Sequence, residues 1–145
     1  MSVIIGEKEY FKNINQVKFE GKDSDNPLAY RYYDSERVVM GKSMKEHFKF
    51  AIAYWHSFVN TGNDPFGPGT KEYPWSVSSD VHQRAYDKMD AAFEFISKLD
   101  LEYFCFHDFD LIDEGKSLSE SEDRLHKISE YALSKMNSTR MKVLW

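Results

Sequence analysis

Tyr103-Phe104-Cys105-Phe106-His107-Asp108-Phe109-Asp110 is the stretch of sequence that decides the fold of this chain. Its first half, residues 103–106, is apolar and aromatic and predicts a buried strand. The strand ends in His-Asp-x-Asp, and parallel α/β proteins keep their chemistry at the carboxyl ends of their strands. In extended backbone His107 and Phe109 share one face, and once the chain turns, Asp110 can swing back towards the imidazole. The stretch therefore predicts a histidine oriented by a carboxylate, the usual form of a proton-transfer pair.

Composition and charge set broad limits on the class of protein. The 145 residues, of which 41% are hydrophobic, are enough for one domain with a core. The net charge of −5 disfavours a nucleic-acid partner, which requires a basic surface. The single cysteine, Cys105, cannot form an internal disulfide and fits a reducing compartment. The early charges at Glu7 and Lys8 disfavour a signal peptide, and no apolar run approaches membrane-spanning length, so we expect a cytoplasmic protein without a membrane partner.

Residues 1–42 carry neither the period of a helix nor that of a strand. Residues 20–27 have the Gly, Asp, Asn and Pro composition of a turn. Tyrosines follow at positions 30, 32 and 33, and such an aromatic cluster argues against a disordered leader. We therefore predict an extended N-terminal arm over residues 1–42, which wraps a larger body formed by residues 43–145.

The body begins with a short helix and a strand. Ser43-Met44-Lys45-Glu46 matches a capping box and predicts a helical turn. The nearly continuous apolar run over residues 48–54 predicts a strand that is buried on both faces and ends at Trp55-His56. A loop rich in Gly and Pro follows over residues 60–69, and it contains Phe66, an unusual side chain for a plain connection.

Two amphipathic helices and two more strands complete the predicted pattern. Asp80 is a good N-cap for the first helix, and Ser117-Leu118-Ser119-Glu120 is a capping box for the second. The strand with His107 lies between the helices, and a last strand starts at Met141. Apolar residues at helical spacing follow each cap. They are Val81, Ala85, Met89, Ala92, Phe93, Ile96 and Leu99 in the first helix, and Leu118, Leu125, Ile128, Ala132 and Met136 in the second.

The element order is therefore arm, β, α, β, α, β. Alternation of this kind makes a parallel sheet with right-handed crossovers. A parallel sheet must be covered on both faces, whereas only two full helices are predicted here. A closed barrel needs eight strands and typically about 250 residues. We therefore interpret the chain as the front part of a longer α/β protein.

Several segments, in order along the chain, resemble the longer, class II form of xylose isomerase. The strongest match is the stretch of residues 103–110, with Glu114-Gly115 behind it. The last strand, Lys142-Val143-Leu144-Trp145, resembles the third barrel strand of that family. The similarity covers nearly all of the chain from Tyr10 onward, and the ordered set is far more specific than His-Asp-x-Asp alone. The other matching segments are residues 18–29, 31–34, 39–42, 53–56 and 64–67.

The resemblance implies a (β/α)8 TIM barrel, of which this chain would supply the arm, three strands and two helices. It implies interconversion of D-xylose and D-xylulose with two divalent cations, most commonly Mg²⁺, whose ligands would come from later strands. By the same resemblance, His107 would be the general acid/base that opens the sugar ring, and Asp110 would hold its other ring nitrogen. The whole protein would be a homotetramer.

Two aromatic residues receive substrate-binding roles from the same resemblance. Trp55 would form a wall of the sugar pocket, because the apolar faces of sugars pack on aromatic rings. Phe66 would enter the active site of a neighbouring subunit. The ordinary alternatives are a core aromatic for Trp55 and, for His107, a histidine that caps a strand.

Three further alternatives stay open at the level of sequence. His107, Asp108 and Asp110 could together bind a divalent cation, although the resemblance places the metals elsewhere. The chain could be a truncated, non-catalytic module for sugar binding or assembly, and we expect it to be inactive on its own. It could also be another metal-dependent barrel, such as a sugar epimerase or an abasic-site endonuclease. The acidic charge disfavours the nuclease. Both families lack the arm segment at residues 26–29 and the loop at residues 64–67. Of the other histidines, His56 is expected to be structural, and His47, His82 and His126 are expected to be solvated.

Overall fold

The computed structural model describes residues 5–144, in which three parallel strands and two long helices form the central unit. A small hairpin precedes this unit, and two one-turn helices lie next to its strands. The elements in chain order are β1 (Val38–Val39), β2 (Lys42–Ser43), α1 (Met44–His47), β3 (Ala51–Ala53), a π-helical segment (Trp55–Val59), α2 (Val81–Lys98), β4 (Tyr103–Cys105), α3 (Asp108–Leu111), α4 (Leu118–Ser138) and β5 (Lys142–Val143).

The sheet has the order β3-β4-β5, and both pairs of neighbouring strands are parallel. Ala53 lies opposite Cys105 at the end of the first pair, and Phe104 lies opposite Val143 in the second. Helix α2 connects β3 to β4, and helix α4 connects β4 to β5. The predicted alternation of strands and helices and the parallel sheet are therefore confirmed. Trp145, with which the third strand was predicted to end, lies outside the described residues.

The first predicted strand is shorter and less buried than its apolar run indicated. Only Ala51–Ala53 are extended and paired, and all three are half-buried. Phe48 and Phe50 are exposed by about half and stack on each other. Among the described residues β3 pairs with β4 alone, so its other edge and the residues before it lack the cover that a strand buried on both faces needs. The prediction that Trp55 ends this strand is also wrong, since Trp55 begins the π-helical segment.

Both long helices begin where their capping residues predict. The side chain of Asp80 accepts a hydrogen bond from the backbone N–H of Gln83 at 2.7 Å, which starts α2. The side chain of Ser117 accepts one from the backbone N–H of Glu120 at 3.2 Å, which starts α4. Each cap satisfies a backbone donor that the first helical turn leaves without an intrahelical partner. None of the helices described between residues 5 and 144 combines the length and apolar character needed to cross a bilayer.

Aromatic rings fill the space between the sheet and α2. Phe93 of α2 packs edge-to-face against Phe104 of β4, with ring centroids 5.2 Å apart. Tyr54, directly after β3, is fully buried 6.0 Å from Phe104, and its hydroxyl donates to the sulfur of Met89. Ile128 of α4 belongs to the same buried cluster. This packing fixes the position of the strand that carries His-Asp-x-Asp relative to both helices.

A buried carboxylate on α2 attaches the arm to the rest of the chain. The side chain of Glu94 is 1% exposed and accepts hydrogen bonds from the backbone N–H groups of Tyr10 and Phe11, at 2.8 and 2.9 Å. The ammonium of Lys98 lies 2.8 Å from the same carboxylate and 3.0 Å from that of Glu9. Burial alone would lower the pKa of Lys98, but the hydrogen bonds to Glu94 and Glu9 outweigh it and raise the pKa.

Further along, the arm packs on the C-terminal end of α2 and then forms a hairpin. The hydroxyl of Tyr30 donates to the carbonyl of Leu99 at 2.8 Å, so part of the tyrosine cluster serves packing, as predicted.

Strands β1 and β2 are joined by Met40 and Gly41, which both have positive φ, the conformation of a tight hairpin turn. Sequence periodicity did not predict this hairpin. The arm boundary at residue 42 stays a prediction, and it falls within β2.

We predict that Glu94→Gln destabilises the chain by about 3–5 kcal/mol, because it removes the more deeply buried of the two carboxylates that pair with the Lys98 ammonium. Urea unfolding followed by circular dichroism measures the change in the free energy of unfolding. The control is Glu130→Gln, which removes an exposed contact with His126 and should cost less than about 0.5 kcal/mol. Equal effects of the two substitutions would contradict the role given to Glu94.

Candidate active site

The register of the sheet brings Trp55 and His107 together. Ala53 and Cys105 are partners at the carboxyl ends of β3 and β4, and Trp55 and His107 follow them by two residues each. The ring centroids of Trp55 and His107 lie 4.6 Å apart, at an interplanar angle of 42°. Two residues that are 52 positions apart in the sequence thus meet at one edge of the sheet.

Asp110 orients His107 through two hydrogen bonds to one carboxylate oxygen. His107 is the N-cap residue of α3, and its backbone N–H donates to Asp110 Oδ2 at 2.7 Å. The imidazole Nδ1 lies 3.0 Å from the same oxygen. The carboxylate is fully buried, whereas the imidazole is exposed by nearly half. The predicted return of Asp110 towards the imidazole is therefore confirmed as a geometry.

The surroundings of Asp110 combine burial with charge. Its Oδ1 is buried and has no hydrogen-bond partner within residues 5–144. Burial lowers the pKa of the Lys88 ammonium, and the negative charges of Asp113 and Asp110 oppose this shift. Burial, and after it the charge of Asp110, raises the pKa of the Cys105 thiol, which keeps that thiol protonated. The contact with the Asp110 carboxylate favours the imidazole tautomer that carries its proton on Nδ1, which leaves Nε2 as the nitrogen without a proton.

Phe109 is a component of this site to which the sequence assigned no role. Its ring lies 5.6 Å from that of His107, and the two planes are parallel to within 6°. The expected extended alternation does not explain this contact, because Phe109 lies in the helical turn α3. Asp108, between them, is exposed and accepts a hydrogen bond from the backbone N–H of Phe109. Asp108 therefore orients the local backbone and takes no part in the His107–Asp110 pair.

Phe66 does not join the other three predicted site residues. Its side chain is 97% exposed, so it makes no substantial contact with the described part of the chain. Around it, Asp64 accepts a hydrogen bond from the backbone N–H of Phe66, and Asp64 pairs with Gly67. The loop is thus a tight turn that presents an aromatic side chain to solvent.

The remaining histidines lie outside this site, with one ring contact at its border. His56 lies next to Trp55 at a centroid distance of 5.6 Å. His47 contacts the carbonyl of Val39, and His126 contacts Glu130 on an exposed face of α4. The expectation of a solvated side chain is wrong for the Nε2 of His82, which is buried and without a hydrogen-bond partner among the described residues. The reason is its place in the first turns of α2, where its ring faces Tyr86.

No group of three or more His, Cys, Asp or Glu side chains within residues 5–144 is arranged to hold a metal ion. The alternative in which His107, Asp108 and Asp110 bind a divalent cation therefore has no support. Asp108 points its carboxylate at the backbone of Phe109, and Asp110 directs Oδ2 at the imidazole and backbone of His107. The two carboxylates thus serve different partners.

The site defines the class of protein. A histidine–aspartate pair lies at the carboxyl end of a parallel strand, and an aromatic ring that follows the neighbouring strand lies against it. The chain is an α/β protein whose candidate site lies at the strand ends, where proteins of this class bind ligands. No protein-family model matches the chain. Curated relatives do match it, over nearly its whole length.

Three of these relatives carry the name xylose isomerase. That of Bacteroides thetaiotaomicron is 52% identical over 138 residues, which is 95% of this chain and 32% of the relative. Xylose isomerase 1 of Xanthomonas campestris pv. campestris is 51% identical over 144 residues, which is 99% of this chain and 32% of the relative. That of Phocaeicola vulgatus is 51% identical over 138 residues, with coverages of 95% and 32%. The resemblance to xylose isomerase is therefore confirmed, and the chain spans about a third of the length of these relatives.

We predict that Asp110→Ala changes the tautomer ratio of the neutral His107 imidazole by about 10- to 150-fold, away from the form with a proton on Nδ1. The reason is that a hydrogen bond to a charged group contributes about 1.5–3 kcal/mol. Long-range ¹⁵N–¹H NMR spectra of the imidazole nitrogens measure the ratio. Asp108→Ala serves as the control, because that carboxylate does not contact the ring. An unchanged ratio in Asp110→Ala would mean that Asp110 does not select the position of the proton.

Proposed function

We propose that this chain supplies part of the active site of a xylose isomerase, which interconverts D-xylose and D-xylulose. The observation that carries the proposal is the His107–Asp110 pair at the carboxyl end of β4. About 50% identity to proteins named xylose isomerase supports the choice of substrate.

The role proposed for His107 is opening of the cyclic sugar. Ring opening moves a proton from the anomeric hydroxyl to the ring oxygen, while the bond between that oxygen and the anomeric carbon breaks. Nε2 of His107 would exchange this proton, and Asp110 would hold the imidazole through Nδ1 so that Nε2 faces the sugar. The ring of Trp55, 4.6 Å from the imidazole, would support the apolar face of the sugar.

We infer that the complete protein is a (β/α)8 barrel in which β3, β4 and β5 are the first three barrel strands. The arm would be residues 1–42 and the barrel portion residues 43–145. The exposed ring of Phe66 supports a homotetramer in which this loop enters a neighbouring subunit, because an exposed aromatic side chain in a tight turn is suited to such a contact. A cytoplasmic location agrees with a single cysteine, Cys105, that is a free thiol.

Two divalent cations, Mg²⁺ by resemblance, belong to the proposal for the complete protein, where they would supply Lewis-acid chemistry. The residues described here do not form a metal site. The metal ligands would therefore come from the part of the relatives that this chain does not match.

The test is a chimera in which this chain replaces the matched segment of the Bacteroides thetaiotaomicron relative. We predict that the chimera forms xylulose from xylose and that His107→Ala lowers this turnover by about 10²- to 10⁴-fold. Glyceraldehyde, whose three carbons cannot close into a ring, needs no ring opening, so its isomerisation should be nearly unaffected by His107→Ala. Coupled assays for xylulose and dihydroxyacetone measure both rates.

The control for this substitution is His126→Ala, an exposed histidine on α4 that should leave both rates unchanged. Unchanged xylose turnover in the His107→Ala chimera would contradict the assignment of His107. Equal losses with xylose and with glyceraldehyde would contradict ring opening as its particular role.

The absence of a metal-binding group within residues 5–144 also favours a second statement, namely that the isolated chain is not catalytic. We predict that the purified 145-residue chain with Mg²⁺ forms no xylulose above the rate of a blank. The matched positive control is the chimera, assayed at the same concentration. Measurable xylulose from the isolated chain would show that these residues suffice for catalysis.

A further inference from the structure

The ring of Phe109 is more than half exposed and lies beside the proposed acid/base. Its exposure is 56%, so it contributes little to the core. Single exposed apolar side chains are ordinary on protein surfaces and need no explanation by themselves. What distinguishes Phe109 is its place, because its ring is parallel to the imidazole of His107 to within 6° at 5.6 Å.

Three rings meet at this point of the sheet edge. Trp55 contacts His107 from the end of β3, and Phe109 contacts it from the first turn of α3. The imidazole is held from a different direction, by the hydrogen bonds to Asp110. Phe109 is therefore not required to keep the imidazole in place. Its accessible ring is left available for a ligand that approaches Nε2.

The chemistry of the proposed substrate matches such a surface. A sugar presents hydroxyl groups at its edges and C–H groups on its faces, and these faces pack on aromatic rings. We propose that Phe109 is a second aromatic contact of the sugar, which together with Trp55 positions the face of an aldose next to His107. This inference rests on the proposed function and deepens it, since it adds a residue that sets affinity for the substrate.

The test uses the same chimera, with Phe109→Ala, Phe109→Leu and Phe109→Tyr. We expect Phe109→Ala to raise KM for xylose by about 3- to 10-fold with kcat nearly unchanged, the size expected for loss of one aromatic contact. Phe109→Leu should give an intermediate KM, and Phe109→Tyr, which keeps the ring, should restore the original value. Tyr32→Ala, an exposed aromatic residue of the arm, is the matched control and should leave KM unchanged.

Calorimetric binding of xylitol, an open-chain polyol that cannot be isomerised, separates this inference from the proposed function. A weaker affinity for xylitol in Phe109→Ala supports the sugar contact, whether or not the chimera turns over xylose. Absence of xylose turnover in the unsubstituted chimera would contradict only the isomerase proposal. Overturning results are a KM and a xylitol affinity that stay within twofold in Phe109→Ala, or a fall in kcat at constant KM. Absence of xylitol binding to the unsubstituted chimera also overturns the inference.

Discussion

The parallel pairing of β3 with β4 is the constraint on which the candidate site depends. Its register puts Ala53 opposite Cys105, and therefore puts Trp55 and His107 at the same height beyond the strand ends. A slip of one residue in this pairing would shift the two strand ends relative to each other by about 3.3 Å and so separate the two rings. The packing of Phe93 and Tyr54 on Phe104 holds this register against slippage.

Glu94 and Asp110 are the two most deeply buried carboxylates in the described part of the chain, and their environments differ. Glu94 accepts two backbone hydrogen bonds and pairs with Lys98, so its charge is fully compensated by donors of fixed position. Asp110 uses only one of its oxygens, for His107, and its other oxygen is buried without a hydrogen-bond partner in the described part of the chain. A partly satisfied buried carboxylate is costly, and such groups are found where chemistry requires them.

The chain matches about a third of each relative's length, and its candidate site likewise holds only some of the groups that the proposed reaction needs. Residues 5–144 hold the His107–Asp110 pair and the ring of Trp55 beside it, and within the same range no group of side chains is arranged for a metal ion. Within residues 5–144 the outer edges of β3 and β5 have no partner strand, and the ring of Phe66 is exposed. Each of these surfaces is suited to further barrel strands or to a neighbouring subunit, as proposed for the complete protein.

The sequence by itself determined the features that depend on neighbouring residues. Caps at Asp80 and Ser117, helical spacing, and a histidine three residues before an aspartate are local, so α2, α4 and the His107–Asp110 pair were predictable. Only the tertiary structure decided the short β3, the π-helical segment at Trp55, the attachment of the arm to Glu94 and the distances among the three rings. These features depend on contacts between distant residues, and a local pattern carries no record of which partner covers a given side chain.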